Sequence, residues 1–284
     1  MRLVKGLVAL AVVAAMGYAG YTLLRSHTDL LGPSYYCEAR VGQQSAQLDL
    51  DQSRYASLIA AVGIRRGLPA RAVTIALTTA SQESKIRNVA YGDRDSLGLF
   101  QQRRSQGWGT RAQILDPTHA TNAFYDALVK IPGYATMDIS KAAQDVQHSA
   151  DGSAYVQHEQ PARMFASALT GYSPAALSCS VPQPKASGQH AGPDGLTPDA
   201  RRVAGEVANM LGVSAARHAG GGIVLSYASR GSVDDWALGS YLVANAQRLH
   251  LASVAVGDKV WTAGRSGGGW RTAAAVDGVR ATLA

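Results

Sequence analysis

SQESKIRNVAYGDRDSLGLFQQ, residues 81–102, decides how the chain is read. It follows the apolar run AVTIALTTA and carries one glutamate, Glu83, among Asp, Arg, Gly and Gln. Residues 68–84 keep Val73, Ala76, Leu77 and Ala80 on one face, with Pro69 near the first turn, which predicts a helix ending near Glu83. From Asn88 to Gln102 the helical period breaks. YGDRDS is turn-like and LGLFQQ suits a short strand, so a small hairpin is expected there. A glutamate at a helix C-terminus gains nothing as a cap. Burial and the negative end of the helix dipole both favour a carboxyl that keeps its proton, as a general acid must.

Helices are also expected at SRYASLIAAVGIRRG, at LDPTHATNAFYDALVKIPG behind an Asp116 cap, and at QPARMFASALTGY. Cys37 and Cys179, the only cysteines, bracket this segment. In an oxidising compartment they could join its ends; two separate buried thiols are the other reading. Residues 180–198, rich in Pro and Gly and poor in large apolar residues, read as a linker. Beyond it come a capped helix at TPDARRVAGEVANMLG, a strand at GIVLSYA and a helix at SVDDWALGSYLVANAQRLH. SVAVGDKVWTA reads as a hairpin turning at Gly257-Asp258. A small α/β domain over 199–284 is expected, with Trp236, Trp261 and Trp270 as core or contact residues.

At the other end, residues 6–24 are nineteen residues without a charge. At ~1.5 Å per residue, such a helix just spans a hydrocarbon core of about 30 Å. Its length favours an uncleaved anchor over a cleaved signal peptide. Arg2 and Lys5 precede it, pointing to a cytoplasmic N-terminus with the main body outside the cell membrane. The expected organisation is therefore a transmembrane anchor at 1–25, a stalk at 26–50, a mainly helical domain with a small hairpin at 51–179, the linker, and the C-terminal domain. The fold class is α+β.

Net charge is +7, with the surplus shared among the segments, which argues against a nucleic-acid partner. Seven histidines are scattered without HExxH spacing, so no metal or other cofactor is expected.

The pairing of Gln82-Glu83-Ser84 with Ser96-Leu97-Gly98-Leu99-Phe100-Gln101 resembles the lysozyme-like domain of soluble lytic transglycosylases. YGDRDSLGLFQQRRSQGWGT is similar to a version found in actinobacterial envelope and phage-related proteins. The resemblance covers about residues 38–179. It implies a peptidoglycan glycan strand as substrate, cleaved at the MurNAc-GlcNAc β-1,4 bond, with Glu83 as acid and then base. Gln101 and Ser96 would lie in the sugar site, and Tyr91, Trp108 and Tyr172 would offer sugar-stacking faces. The family's alanine-tyrosine-asparagine-alanine-glycine run is absent, and ALTGY puts Tyr172 in its region. A hydrolase would need a second carboxylate, for which Asp93 and Asp95 are the near candidates, although both suit a turn. Two function classes follow. One is an anchored lytic transglycosylase serving a secretion or conjugation apparatus. The other is a lysozyme-like scaffold that binds glycan or a partner without cleavage.

Overall fold

A computed structural model describes residues 35–149, 152–215, 217–264 and 269–284. The expected anchor at 6–24 lies outside the described residues. Among those described, no helix is long and apolar enough to cross a membrane.

The chain is α+β, and it enters through a strand pair. β1 (Tyr36–Val41) and β2 (Gln44–Asp49) are antiparallel, and β5 (Leu177–Ser180) joins the other side of β1. Residues 36–49 are therefore a hairpin and not part of a stalk. Their sequence alternates: Cys37 and Ala39 are buried while Arg40 is exposed, and the two-residue connection begins with Gly42 at φ +60°. Cys37 and Cys179 are directly opposite partners in β1 and β5 and form a disulfide, with Cα atoms 3.9 Å apart. That is shorter than the usual ~4.4–6.8 Å, as direct cross-strand pairing brings the backbones close.

Helices α1 (Leu50–Arg65) and α2 (Ala70–Ser84) follow. Asp49 and Gln52 close a capping box at the head of α1. In α2 every residue from Ala72 to Ala80 is buried, so this helix forms the centre of the packing. β3 (Ser96–Leu97) and β4 (Gln102–Arg103) make the small hairpin. Four helices come next: α3 (Arg111–Leu115), α4 (Pro117–Leu128), α5 (Ile139–Gln147) and α6 (Ser153–Leu169). Asp116 caps α4 as expected, through the N–H groups of Thr118 and His119. Helix α6 starts well before the expected QPARMF stretch. Pro161 sits inside it, where it withholds only its own N–H.

The C-terminal part comprises α7 (Pro198–Leu211), β6 (Arg217–Ala219), β7 (Val224–Tyr227), α8 (Ser232–Ala244), β8 (Leu251–Val256), β9 (Lys259–Thr262), β10 (Arg271–Thr272) and β11 (Val279–Leu283). Its six strands run in the order β10-β9-β8-β11-β7-β6. Every pairing is antiparallel, so this part is itself α+β and not α/β. The hairpin at Gly257-Asp258 is present between β8 and β9.

Residues 182–197 are irregular and mostly exposed, yet the segments on either side share one core, and residues 35–284 form one compact unit. The expected linker between two separate domains is corrected by α8. Its residues Trp236–Ala244 are all buried, so it needs partners on both sides, its own sheet on one and α1, α6 and β5 on the other. Polar groups cross the same seam. Buried Asn245 donates to Ser57 Oγ at 2.8 Å, and Arg65 donates to the Asn209 carbonyl at 2.7 Å near the end of α7. The indoles of Trp261 and Trp270 donate to the carbonyls of Cys179 and Leu177 at 3.1 and 2.8 Å.

Gly171 marks how close this approach is. Its φ is +82°, and a Cβ there would stand 1.9 Å from the Val233 carbonyl oxygen. Gly171→Ala is expected to destabilise the fold by more than about 1 kcal/mol. Gly107 has the same φ with open space around it, so Gly107→Ala bears only the backbone strain. Urea unfolding of the two variants separates the terms; equal losses would mean that the seam yields at no cost.

Candidate functional site

The site is built where α2 stops. Lys85 and Ile86 both take left-handed φ of 55°, which ends the helix and turns the chain away. Ser84 Oγ accepts from the Arg87 N–H at 3.1 Å and donates to the Leu99 carbonyl at 2.7 Å. The serine beside Glu83 therefore fastens the 98–101 turn to the end of α2. From α5, Gln147 donates to the Phe100 carbonyl at 2.7 Å and holds that turn from the other side. Leu99 and Phe100 are fully buried, and Phe100 stacks on Phe124 at 4.5 Å.

Glu83 is half-buried in the last turn of α2. The Tyr155 hydroxyl, from the first turn of α6, donates to its Oε1 at 2.6 Å. Tyr155 is 2% exposed, and its phenol is pushed well above the usual range by burial, then by the bond to Glu83 and that group's charge. The phenol therefore keeps its proton at any working pH. One turn along α6, His158 Nε2 lies 3.0 Å from Gln82 Oε1, and burial holds this imidazole below its ordinary value. Two adjacent residues of α2 are thus each tied to α6, through positions three apart on one helix face.

The other expected site residues lie differently. Residues Ser96–Gln101 are not one strand. They form a short strand and a tight turn, because Gly98 at φ +76° and Gln101 at φ +47° are both left-handed. A side chain at Gly98 would meet the Ile114 carbonyl at 2.7 Å. The Gln101 amide donates to the carbonyls of Tyr91 and Gly98, both at 3.3 Å, so its N–H groups brace the loop. Ser96 is buried in β3, and Trp108 is half-buried against the core. Tyr91 is 76% exposed on the loop that Gln101 braces. Tyr172 is 64% exposed beyond the far end of α6, roughly 20 Å along the axis from Tyr155. The tyrosine bonded to Glu83 is Tyr155, which sequence reasoning missed. Its signal was present, since Ala154-Tyr155 matches the first two residues of the run sought near Tyr172.

The two nearby aspartates differ. Asp95 accepts from the Ser105 N–H at 2.7 Å, Ser105 Oγ at 2.9 Å and Arg103 Nε at 2.8 Å. The Ser105 backbone bond and the Arg103 guanidinium hold its carboxyl well below the usual range. Asp93 is exposed, 3.8 Å from Arg94 Nε. A depressed folded-state value stabilises above the unfolded value and is lost as pH falls through the folded one. The gap in urea midpoint between wild type and Asp95→Asn should therefore be full near neutrality and shrink below about pH 4. A gap that stays constant into acid would show that the charge on Asp95 contributes nothing to the hairpin.

Among the described residues, no group of three or more His, Cys, Asp or Glu is placed to hold a metal ion. Compared with known proteins, the chain matches no family model and no curated sequence.

Proposed function

We propose that the chain is a peptidoglycan lytic transglycosylase that cleaves the MurNAc-GlcNAc β-1,4 bond with Glu83 as its single acid and base. The observation that carries this reading is the hydrogen bond from buried Tyr155 to Glu83 Oε1, at the end of a fully packed helix. On this reading Tyr155 holds Oε1, and Oε2 is the oxygen that delivers a proton to the leaving glycosidic oxygen. The resulting carboxylate, still bonded to Tyr155, then takes the proton from the sugar's own C6 hydroxyl. That oxygen attacks C1 and closes a 1,6-anhydro ring. No water enters and no second carboxylate is needed, in keeping with an Asp95 already bound to Arg103 and Ser105. The fold assigned to the catalytic part is lysozyme-like. The working location is the outer side of the cell membrane, held by residues 6–24 as a single-pass anchor. A secretion or conjugation apparatus is the machinery served.

A second reading has one observation in its favour. The six-stranded C-terminal part is packed into the same core as the Glu83 helix, more framework than a single acid needs. On that reading the chain is a scaffold that binds glycan or an envelope partner without cleavage. Mass spectrometry of products from purified peptidoglycan separates the cases: anhydro-muropeptides support the lyase, reducing ends a hydrolase, and intact strands the scaffold.

A further inference from the structure

The even spread of charge along the chain conceals a local concentration. Residues 84–112 hold six basic side chains, Lys85, Arg87, Arg94, Arg103, Arg104 and Arg111, against Asp93 and Asp95. The rest of 38–179 has eight basic against ten acidic residues and is net negative. The positive balance of this whole segment therefore sits in the loops that leave the Glu83 helix.

The acids of this lobe do little to neutralise its rim. Asp95 is taken by Arg103 and Ser105, and Arg87 pairs with Asp49. Asp93 and Arg94 are 3.8 Å apart with 91% and 72% of their side chains exposed, a geometry in which water screens the pair. Arg104 and Arg111 are exposed and have no carboxylate partner among the described residues. The bonds between Asp95 and Ser105 join the two segments that carry Arg94 and Arg104, each next in sequence to a bonded residue. Arg111 donates to the Ala90 carbonyl at 3.3 Å, beside the exposed ring of Tyr91. Tyr91 is linked in turn to the end of α2: the Gln101 amide bonds its carbonyl, and Ser84 bonds Leu99.

From this we infer that Arg94, Arg104 and Arg111 form a subsite for the anionic substituents of the wall glycan. These are the carboxylates of its peptides or the phosphates of polymers attached to it. A guanidinium offers paired N–H donors matched to either group; Arg104 and Arg111 can engage it without breaking an ion pair with any described acid, and Arg94 gives up only a water-screened one. The inference rests on the glycan-cleaving reading of Glu83 and adds what the glycan must carry. The substrate is the substituted strand rather than the bare sugar chain.

The test uses the full chain carrying Glu83→Gln, so that binding is read without turnover. It is sedimented at low salt with purified walls in three forms: untreated, stripped of phosphate polymers by acid, and stripped of peptides by an amidase. Adding Arg94→Gln, Arg104→Gln and Arg111→Gln should weaken binding to untreated walls about tenfold, with the difference shrinking as salt rises. The stripped wall that loses the same increment identifies the anion. In the Glu83-intact chain, the ratio of kcat/KM for substituted over bare glycan should fall by a similar factor. Arg104→Gln alone, at a side chain that touches no described acid, should give a share of the effect without disturbing the fold. Equal binding by the triple variant, or equal affinity for bare and substituted glycan, overturns the inference. Arginine-dependent binding with no cleavage by wild type would instead remove the catalytic reading and leave the subsite.

Discussion

Glu83→Gln should abolish the release of anhydro-muropeptides, lowering turnover of purified peptidoglycan about 10²–10⁴-fold, the usual loss when a general acid is removed. The substitution keeps the shape, and the new amide oxygen can still accept from Tyr155, so thermal stability and glycan binding should hold. Tyr155→Phe is the informative companion. It leaves the acid in place but removes the donor that orients Oε1 and stabilises the carboxylate after proton transfer. A hydrogen bond to a charged group is worth about 1.5–3 kcal/mol, so kcat should fall about 10–100-fold. Tyr172→Phe, at the far end of α6, should have no such effect. The assay is product release followed by mass spectrometry. If Asp95→Asn abolishes turnover as completely as Glu83→Gln, and the products carry reducing ends, a two-carboxylate hydrolase replaces the lyase. Turnover that survives Glu83→Gln would falsify the assignment of the acid altogether.

The largest stability effect is expected from the disulfide. Cys37 and Cys179 are 142 positions apart, and closing so long a loop removes about 5 kcal/mol of denatured-state entropy in the chain-entropy account. Folded domains of ordinary stability have about 5–15 kcal/mol in total. Replacing both cysteines by alanine should therefore leave a marginal protein, with its urea midpoint lowered by a third or more. The loss should reach the C-terminal part, because Trp261 bonds the carbonyl of Cys179 itself. Hydrogen exchange should accelerate in β5 and β9 together. A cost below about 1 kcal/mol would mean that the strands hold their register without the bond.

Helix α2 was legible because Pro69, the apolar face and the glutamate-serine end occur within one short window. The β8–β9 hairpin was legible for a similar reason: Gly257-Asp258 is a local turn signal between two alternating runs. The cysteine pair could be read from its bracketing positions. What escaped notice depended on long-range partners. Residues 36–49 alternate and pair with each other as β1 and β2, but two mostly polar strands have no core to cover until β5 joins β1 far along the chain. Helix α8 is legible as a helix, but its burial on both sides depends on α1 and α6, which a local window does not contain. Tyr155 was hidden by Pro161, which suggested a helix start seven residues too late. At Gln101 the motif misled in another way. Gly98 and Gln101 both adopt positive φ, so the residues that resemble a strand form its turn.

The cross-strand bond between β1 and β5 also decides how tension passes through the protein. A pull between the chain entering at Tyr36 and its C-terminal residues meets Cys37 one residue in and crosses at once to Cys179. From there it continues through residues 180–198, which are stretched outside the closed loop. The loop between the cysteines, with α2, α6 and the Glu83–Tyr155 bond, is covalently bypassed. Force that would shear an open chain from its first strand inward is instead carried by one sulfur bridge. Along the covalent path, the Glu83–Tyr155 bond carries no load; tension reaches it only through the packed seam with α8.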